Sequence, residues 1–245
     1  HFVLGGNRRF LYQVTGKKIE PLDHPLTSMD EMDRWSQKYI GQDFNSTEMR
    51  KLLIRATFQQ AREDGVTVLE IGEDVWGLNE FFHNDIDELV NAFTSAQKEI
   101  ASDMELRLQI GLSRHCPISY LEDCLSHFWG NKNFYSIDLY GDELAQPIEN
   151  FKGIYRRAKK EGLRLKAHVG EWGTAKDVRT AEEELELDEV QHGIAAADDE
   201  SVIRFLGDHK IRLNITPTSN ILLGRVADMS MHPIGKLYRS GVDVT

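Results

Sequence analysis

The chain has 245 residues, 40% hydrophobic and 28% charged, with a formal net charge of -11. These are the proportions of a globular protein large enough to fold without disulfide or metal staples. The acidic balance argues against a nucleic-acid backbone as partner, though not against a single base or nucleoside. No apolar run approaches the length of a membrane span, and no secretory core is present. Cys116 and Cys124 lie in a segment that reads as helical. They read as reduced, inert thiols, which suits a cytoplasmic protein. The chain starts at His1 and stops within Val242–Thr245, which reads as a strand just begun, so the pattern implies a sequence trimmed at both ends.

Residues 7–45 carry no regular pattern apart from one short helix expected over Met29–Tyr39. Ser46–Arg62 reads as a helix, with Glu48 near its N-terminus and apolar positions at Leu52, Leu53, Ala56, Phe58 and Ala61 that do not form a clean stripe. Val66–Ile71, rich in apolar and β-branched residues, reads as a buried strand. A regular beat follows. Asp85–Ile100 is a helix after Asn84 as N-cap, with Ile86, Leu89, Val90 and Phe93 in helical register. Leu106–Leu112 reads as a strand, Pro117–Phe128 as a helix with proline in its first turn, and Phe134–Leu139 as a strand. Pro147–Lys160 is a helix stopped by Gly162, and Leu163–Val169 is a strand. Ala175–Leu185 is a charged helix capped by Thr174, followed by a short strand over Val190–Ile194. Asp199–Leu206 is a helix, Ile211–Ile215 a strand, and Pro233–Arg239 a short helix ending near Gly241, after which Val242 opens another strand.

Strict alternation of strand and helix implies a parallel sheet. Seven consecutive steps favour a closed (β/α)8 TIM-type barrel over residues 1–245 as one domain, its first strand ahead of His1 and its last unfinished. An open doubly wound sheet has the same beat and remains the alternative, although no Gly-x-Gly-x-x-Gly follows a strand. In a barrel the C-terminal ends of the strands share one face, and sites are built there. The residues at those ends are Glu70 and Glu73; Arg114 and His115; Asp138, Gly141, Asp142 and Glu143; His168 and Glu171; His192 and Gly193; and Thr216, Ser219 and Asn220. Two histidines and several carboxylates so placed suit a zinc or iron site. Each also has a structural reading. His168 and His192 would serve as hydrogen-bonded supports and Glu171 as a solvated loop carboxylate. Asp142–Glu143 would be a charge pair favoured at a helix N-terminus.

Several stretches together resemble the adenosine deaminase family of the metal-dependent amidohydrolase superfamily. His168-Val169-Gly170-Glu171 is similar to its His-Ala-Gly-Glu motif, and Asp138-Leu139-Tyr140-Gly141-Asp142-Glu143 to its Asp-Leu-x-Gly-x-Glu strand end. Gln191-His192-Gly193, Thr216-Pro217-Thr218-Ser219-Asn220, and His232-Pro233 followed by Gly241-Val242 resemble further family segments, in order, so that the likeness runs from about Leu106 to Thr245. His1-Phe2-Val3-Leu4-Gly5-Gly6 resembles the second histidine of the family's first-strand His-x-His; a tag remnant is the other reading of His1.

The resemblance implies a hydrolase that deaminates adenosine or a related aminopurine with one divalent metal ion, zinc. His1 and His168 would be metal ligands, together with a histidine before residue 1 and an aspartate beyond Thr245. His192 would orient or deprotonate water, Glu171 would protonate the purine ring nitrogen, and Gly141 would offer backbone to the ring. The zinc deaminase class built on His-x-Glu and Pro-Cys-x-x-Cys is excluded, since Cys116 and Cys124 do not supply that motif. The likeness departs at Val3, where adenosine-specific members carry a ribose-binding aspartate. Hydrolysis of another C–N bond, or a barrel used only for binding, are the alternatives. The expected partner is a small molecule, with neither nucleic acid nor membrane.

Overall fold

A computed structural model describes residues 6–245. In chain order the elements are α1 (Arg8–Thr15), α2 (Met29–Ser36), α3 (Thr47–Glu63), β1 (Val68–Asp74), α4 (Val75–Phe82), α5 (Ile86–Ile100), β2 (Glu105–Ser113), α6 (Ile118–Leu125) and β3 (Phe134–Tyr140). They continue with α7 (Lys152–Glu161), β4 (Arg164–Val169), α8 (Ala175–Leu185), β5 (Glu189–His192), α9 (Glu200–His209), β6 (Arg212–Asn214), α10 (Pro217–Leu222), α11 (Ile234–Arg239) and β7 (Asp243–Val244). The strands form one sheet in chain order from β1 to β7, the α/β arrangement that the alternating pattern implied. Two compact units are distinguished. One holds residues 6–21, 30–111 and 119–136, and the other 22–29, 112–118 and 137–245.

In the first unit β1 and β2 run parallel, from Val68 opposite Glu105 to Asp74 opposite Gly111. Leu11, Ile19, Ile40, Phe44, Leu53 and Ala56 make a buried apolar cluster on which α1 and α3 sit. At the end of β1, Glu73 is fully buried and takes two hydrogen bonds from Arg50, from Nε and Nη2, each at 2.5 Å. A buried carboxylate is tolerated only when its charge is met in this way. Glu70 likewise is tied, to the Ser136 hydroxyl. Neither of these strand-end carboxylates is therefore left over for chemistry.

In the second unit β4, β5, β6 and β7 are parallel neighbours, with Lys166 opposite Glu189, Val169 opposite His192, and Leu213 opposite Val244. The Lys166 ammonium meets the Glu189 carboxylate at 2.9 Å, and Asn214 donates to the same side chain at 2.7 Å. Val178, Ala181, Val190, Ile203, Leu206 and Leu213 are fully or almost fully buried beside them. Cys116 and Cys124 are not joined in a disulfide. Among the described residues no helix is long and apolar enough to cross a membrane.

Several boundaries differ from the sequence reading for local reasons. Asp85, not Asn84, caps α5, accepting from the Asp87 and Glu88 amides at 3.0 Å each, because His83 and Asn84 are left-handed and turn the chain out of α4. Helix α4 was not expected; Asp74 caps it directly at the strand end, so strand and helix merge in one apolar run. Helix α1 was also unforeseen, although Asn7 caps it and left-handed Gly16 ends it. The helix expected over Pro147–Lys160 begins as a 3-10 turn over Ile148–Phe151. The strand expected over Val190–Ile194 stops at His192, where Gly193 turns the chain into a 3-10 stretch. Thr174 caps α8 as expected, in a reciprocal box with Asp177.

Candidate active site

Two neighbouring strand ends of the second unit bring His168, Glu171 and His192 together. His168 is the penultimate residue of β4, and His192 ends β5 opposite Val169. Their rings meet edge-on, with centroids 5.1 Å apart. His192 has φ +65°, a left-handed backbone that costs a side-chain-bearing residue on the order of 1 kcal/mol and is held only where the surroundings impose it. Glu171 lies just past the β4 end, its side chain 10% exposed, with Oε1 3.3 Å from His192 Nδ1.

One chain of hydrogen bonds fixes the protonation of this group. The Ile234 amide donates to His232 Nδ1 at 3.2 Å, so His232 carries its proton on Nε2 and donates to Asn220 Oδ1, also at 3.2 Å. The fully buried Asn220 then presents its amide hydrogens to His192 Nδ1 at 3.2 Å and to Glu171 Oε1 at 3.3 Å. The Thr216 hydroxyl, 3.1 Å from the same Nδ1, also donates. A backbone amide can only donate, so the polarity of the whole chain follows from it. His192 accepts at Nδ1 and keeps its hydrogen on Nε2.

The electrostatics agree. Burial, helped by the nearby His168, pushes the His192 pKa down to about 3, so the ring is neutral at ordinary pH. Its contact with Glu171 is therefore not an ion pair. Burial pushes Glu171 the other way, from 4.5 to about 7, and the Glu143 carboxylate adds to that rise, while His168 and Arg225 oppose it. Asp138 is fully buried, with Oδ2 3.3 Å from His168 Nε2 and 3.2 Å from Gln191 Nε2. Burial raises its pKa, but the opposing charges of His168 and Lys166 outweigh burial and hold it low.

Gly141, at φ +90°, follows β3, in the same layer: the Tyr140 ring packs 5.9 Å from His168, and Glu143 reaches the loop after β4. Asp142 and Glu143 do not open a helix. Asp142 accepts from Leu144 within its own turn, and Glu143 is buried. The roles of Asp138, Glu143, Asn220 and His232 went unread in the sequence, because each depends on side-chain reach between loops. An open cavity of about 370 Å³ lies beside Glu171, lined by Gly173, Ile194, Asp198, Arg225 and Met231 among others. That is the size of a small-molecule site.

His1 and Val3 lie outside the described residues. Among the described residues no group of three His, Cys, Asp or Glu is arranged to hold a metal ion. The donor chemistry at His168, an imidazole backed by a buried carboxylate, is of the kind that suits a metal ligand.

The parallel α/β sheet places these ionisable groups at its strand ends, where TIM-barrel enzymes build their sites. The adenosine deaminase family profile matches residues 26–245, and the chain belongs to that family. A Treponema pallidum protein with the provisional name adenosine/adenine deaminase is 33% identical over 232 residues, covering 95% of this chain and 77% of that protein. An adenine deaminase of Rhodospirillum rubrum is 31% identical over 203 residues, covering 79% of this chain but only 58% of its own length. An amidohydrolase from Burkhoderia ambifaria, solved with bound zinc, superposes with a TM-score of 0.79 at 20% identity, covering 99% of this chain and 71% of that one, and so shares the fold. The family is metal-dependent.

Proposed function

We propose that the protein is a metal-dependent hydrolytic deaminase of aminopurines: water replaces the exocyclic amino group, which leaves as ammonia. The observation that carries this reading is the pair Glu171 and His192, in contact at 3.3 Å, with one pKa raised to about 7 and the other depressed to about 3. Environments that push two touching groups apart assign them different tasks.

Glu171 is half protonated near neutral pH, which suits a group that first gives a proton and then takes one back. It donates to a purine ring nitrogen, drawing electrons from the adjacent amino-bearing carbon. It then collects a proton from the attacking water, passes it to the departing amine, and regains its own proton as the C–OH group collapses to the carbonyl. His192 presents an N–H at Nε2, so it orients the water by donation and does not remove its proton. Asn220 holds both side chains at their mutual spacing. Gly141, free of a Cβ, lets the ring approach the backbone after β3. His168, with His1 from the segment ahead, would hold one zinc ion. Such an ion supplies Lewis-acid activation of water.

The substrate is a small aminopurine. Val3, in place of the aspartate that adenosine-specific members carry, favours a free base over a nucleoside. Two cysteines outside any disulfide suit a reducing compartment, and we place the activity in the cytoplasm. The test is ammonia release by zinc-loaded protein on adenine, adenosine and adenosine monophosphate, with Glu171→Gln alongside. Wild-type turnover that Glu171→Gln abolishes supports the mechanism. Full activity in that variant sinks it.

A further inference from the structure

Glu143 is a buried carboxylate that the mechanism above does not use. It stands in the loop after β3, two residues past Gly141, and is only 4% exposed. Oε1 accepts from the Gly170 amide at 2.6 Å. Oε2 accepts from the amides of Glu171 at 3.1 Å and Trp172 at 2.7 Å. Three consecutive backbone N–H groups thus converge on one side chain. The turn is closed tightly onto it: a Cβ at Gly173 would lie 2.6 Å from Oε1, and a Cβ at left-handed Gly170 would lie 2.4 Å from Val178 Cγ2. Arg114, also buried, supplies positive charge nearby, with Nε donating to the Gln146 carbonyl at 3.0 Å.

From this we infer that Glu143 is the positioning residue for Glu171, its carboxylate clamping the turn that presents the catalytic carboxyl. The inference rests on the proposed role of Glu171. The Glu171 side chain itself accepts a long hydrogen bond from Asn220, at 3.3 Å. Its place is therefore set by its backbone. That backbone is pinned from two sides, by Glu143 at the amides and by Arg225 Nε, which donates to the Glu171 carbonyl at 2.8 Å. Hydrogen bonds to an ionised acceptor are the strong ones, and three on one carboxylate fix position as well as energy. The same clamp ties the strand end bearing Gly141 to the strand end bearing Glu171. The backbone expected to receive the ring and the group expected to protonate it then move as one piece.

The test uses the zinc-loaded full chain with adenine and adenosine as probes, and hydrogen exchange followed by mass spectrometry on the same samples. Glu143→Gln keeps the size but leaves one acceptor oxygen for three amides. Exchange at residues 170–172 should quicken by about tenfold or more, with the protection of β4 and β5 unchanged. Loss of alignment at the reacting group should lower kcat by roughly 100-fold, while KM stays within about threefold and zinc content is unaltered. A Glu143 that merely supports the fold would loosen exchange throughout the unit and leave no such split. Should Glu143→Gln fail to fold, Gly173→Ala crowds the same oxygen and is read identically. Unchanged exchange at 170–172 overturns the inference, as does quickened exchange with unaltered kcat. Full activity in Glu171→Gln would instead overturn the role of Glu171, and leave the exchange result to decide whether Glu143 holds the turn.

Discussion

Replacing Glu171 by glutamine makes a prediction that needs no substrate. Burial, with the Glu143 carboxylate adding to it, lifts the Glu171 pKa from 4.5 to about 7 in the folded chain. In the unfolded chain it returns to the ordinary carboxylate value. Below pH 4.5 both states hold the proton, and the carboxyl contributes its full share of stability. Between 4.5 and 7 the unfolded chain gives up the proton while the folded chain keeps it, so stability falls as pH rises, and levels off above 7. The whole loss is about 3 kcal/mol, at about 1.4 kcal/mol for each unit of pKa. Little solvent screening reduces it, because the side chain is only 10% exposed. Glutamine does not titrate and still offers an oxygen to Asn220. Urea unfolding of wild type and Glu171→Gln, both stripped of metal with a chelator, should therefore diverge: the variant gains little near pH 5 and about 2–3 kcal/mol near pH 8. Titrating groups remote from Glu171 cancel in the difference. A stability gap that does not widen between the two pH values would refute the raised pKa, and with it the proton-shuttling role.

Further outcomes follow from the same geometry. Imidazole nitrogen NMR of metal-stripped protein should show His192 neutral, with its hydrogen on Nε2, down to about pH 4, since its folded pKa lies near 3. Asn220→Asp puts a carboxylate against His192 Nδ1 and Glu171 Oε1, where a donor stood; chemical denaturation near neutral pH should show a loss of about 3 kcal/mol or more. Gly170→Ala brings a methyl group to 2.4 Å from Val178 at a left-handed position, and should cost roughly 2 kcal/mol or more, read as a lowered Tm. Glu73→Gln leaves the buried Arg50 charge half met and should destabilise by about 3 kcal/mol, an effect that adding Arg50→Met should largely remove.

How far the sequence discloses this site can be traced residue by residue. His168 and His192 were visible because parallel strands put every C-terminal end on one face, and the register of Val169 against His192 then makes them neighbours. Glu171 was visible as a family motif, but its raised pKa was not, because burial beside Glu143 is a property of the folded loops. Glu143 itself suggested a helix terminus, a local reading, whereas its partners lie 27 to 29 residues away. Asn220 and His232 appeared within recognisable segments without a role. Their part is defined by the direction of hydrogen bonds, which no spacing encodes. Helix α4 escaped for a different reason: periodicity cannot separate a strand from an apolar helix that begins on the next residue.

The direction of that hydrogen-bond chain also bears on the choice between two tasks for His192. A base near the attacking water needs a free lone pair, and each imidazole has one when neutral. In this fold that lone pair is on Nδ1 and is already engaged by Asn220 and Thr216. Reversing the tautomer would oblige Asn220 to turn its oxygen towards His192, which would set its amide hydrogens against His232 Nε2–H. His232 would then have to turn its own hydrogen onto Nδ1, against the Ile234 amide. Three hydrogen bonds resist one proton shift, each worth on the order of 1 kcal/mol. Burial places the Glu171 carboxyl where it can both gain and lose a proton near neutral pH, so in the proposed mechanism proton traffic and substrate activation fall on that carboxyl, presented by the turn that Glu143 closes.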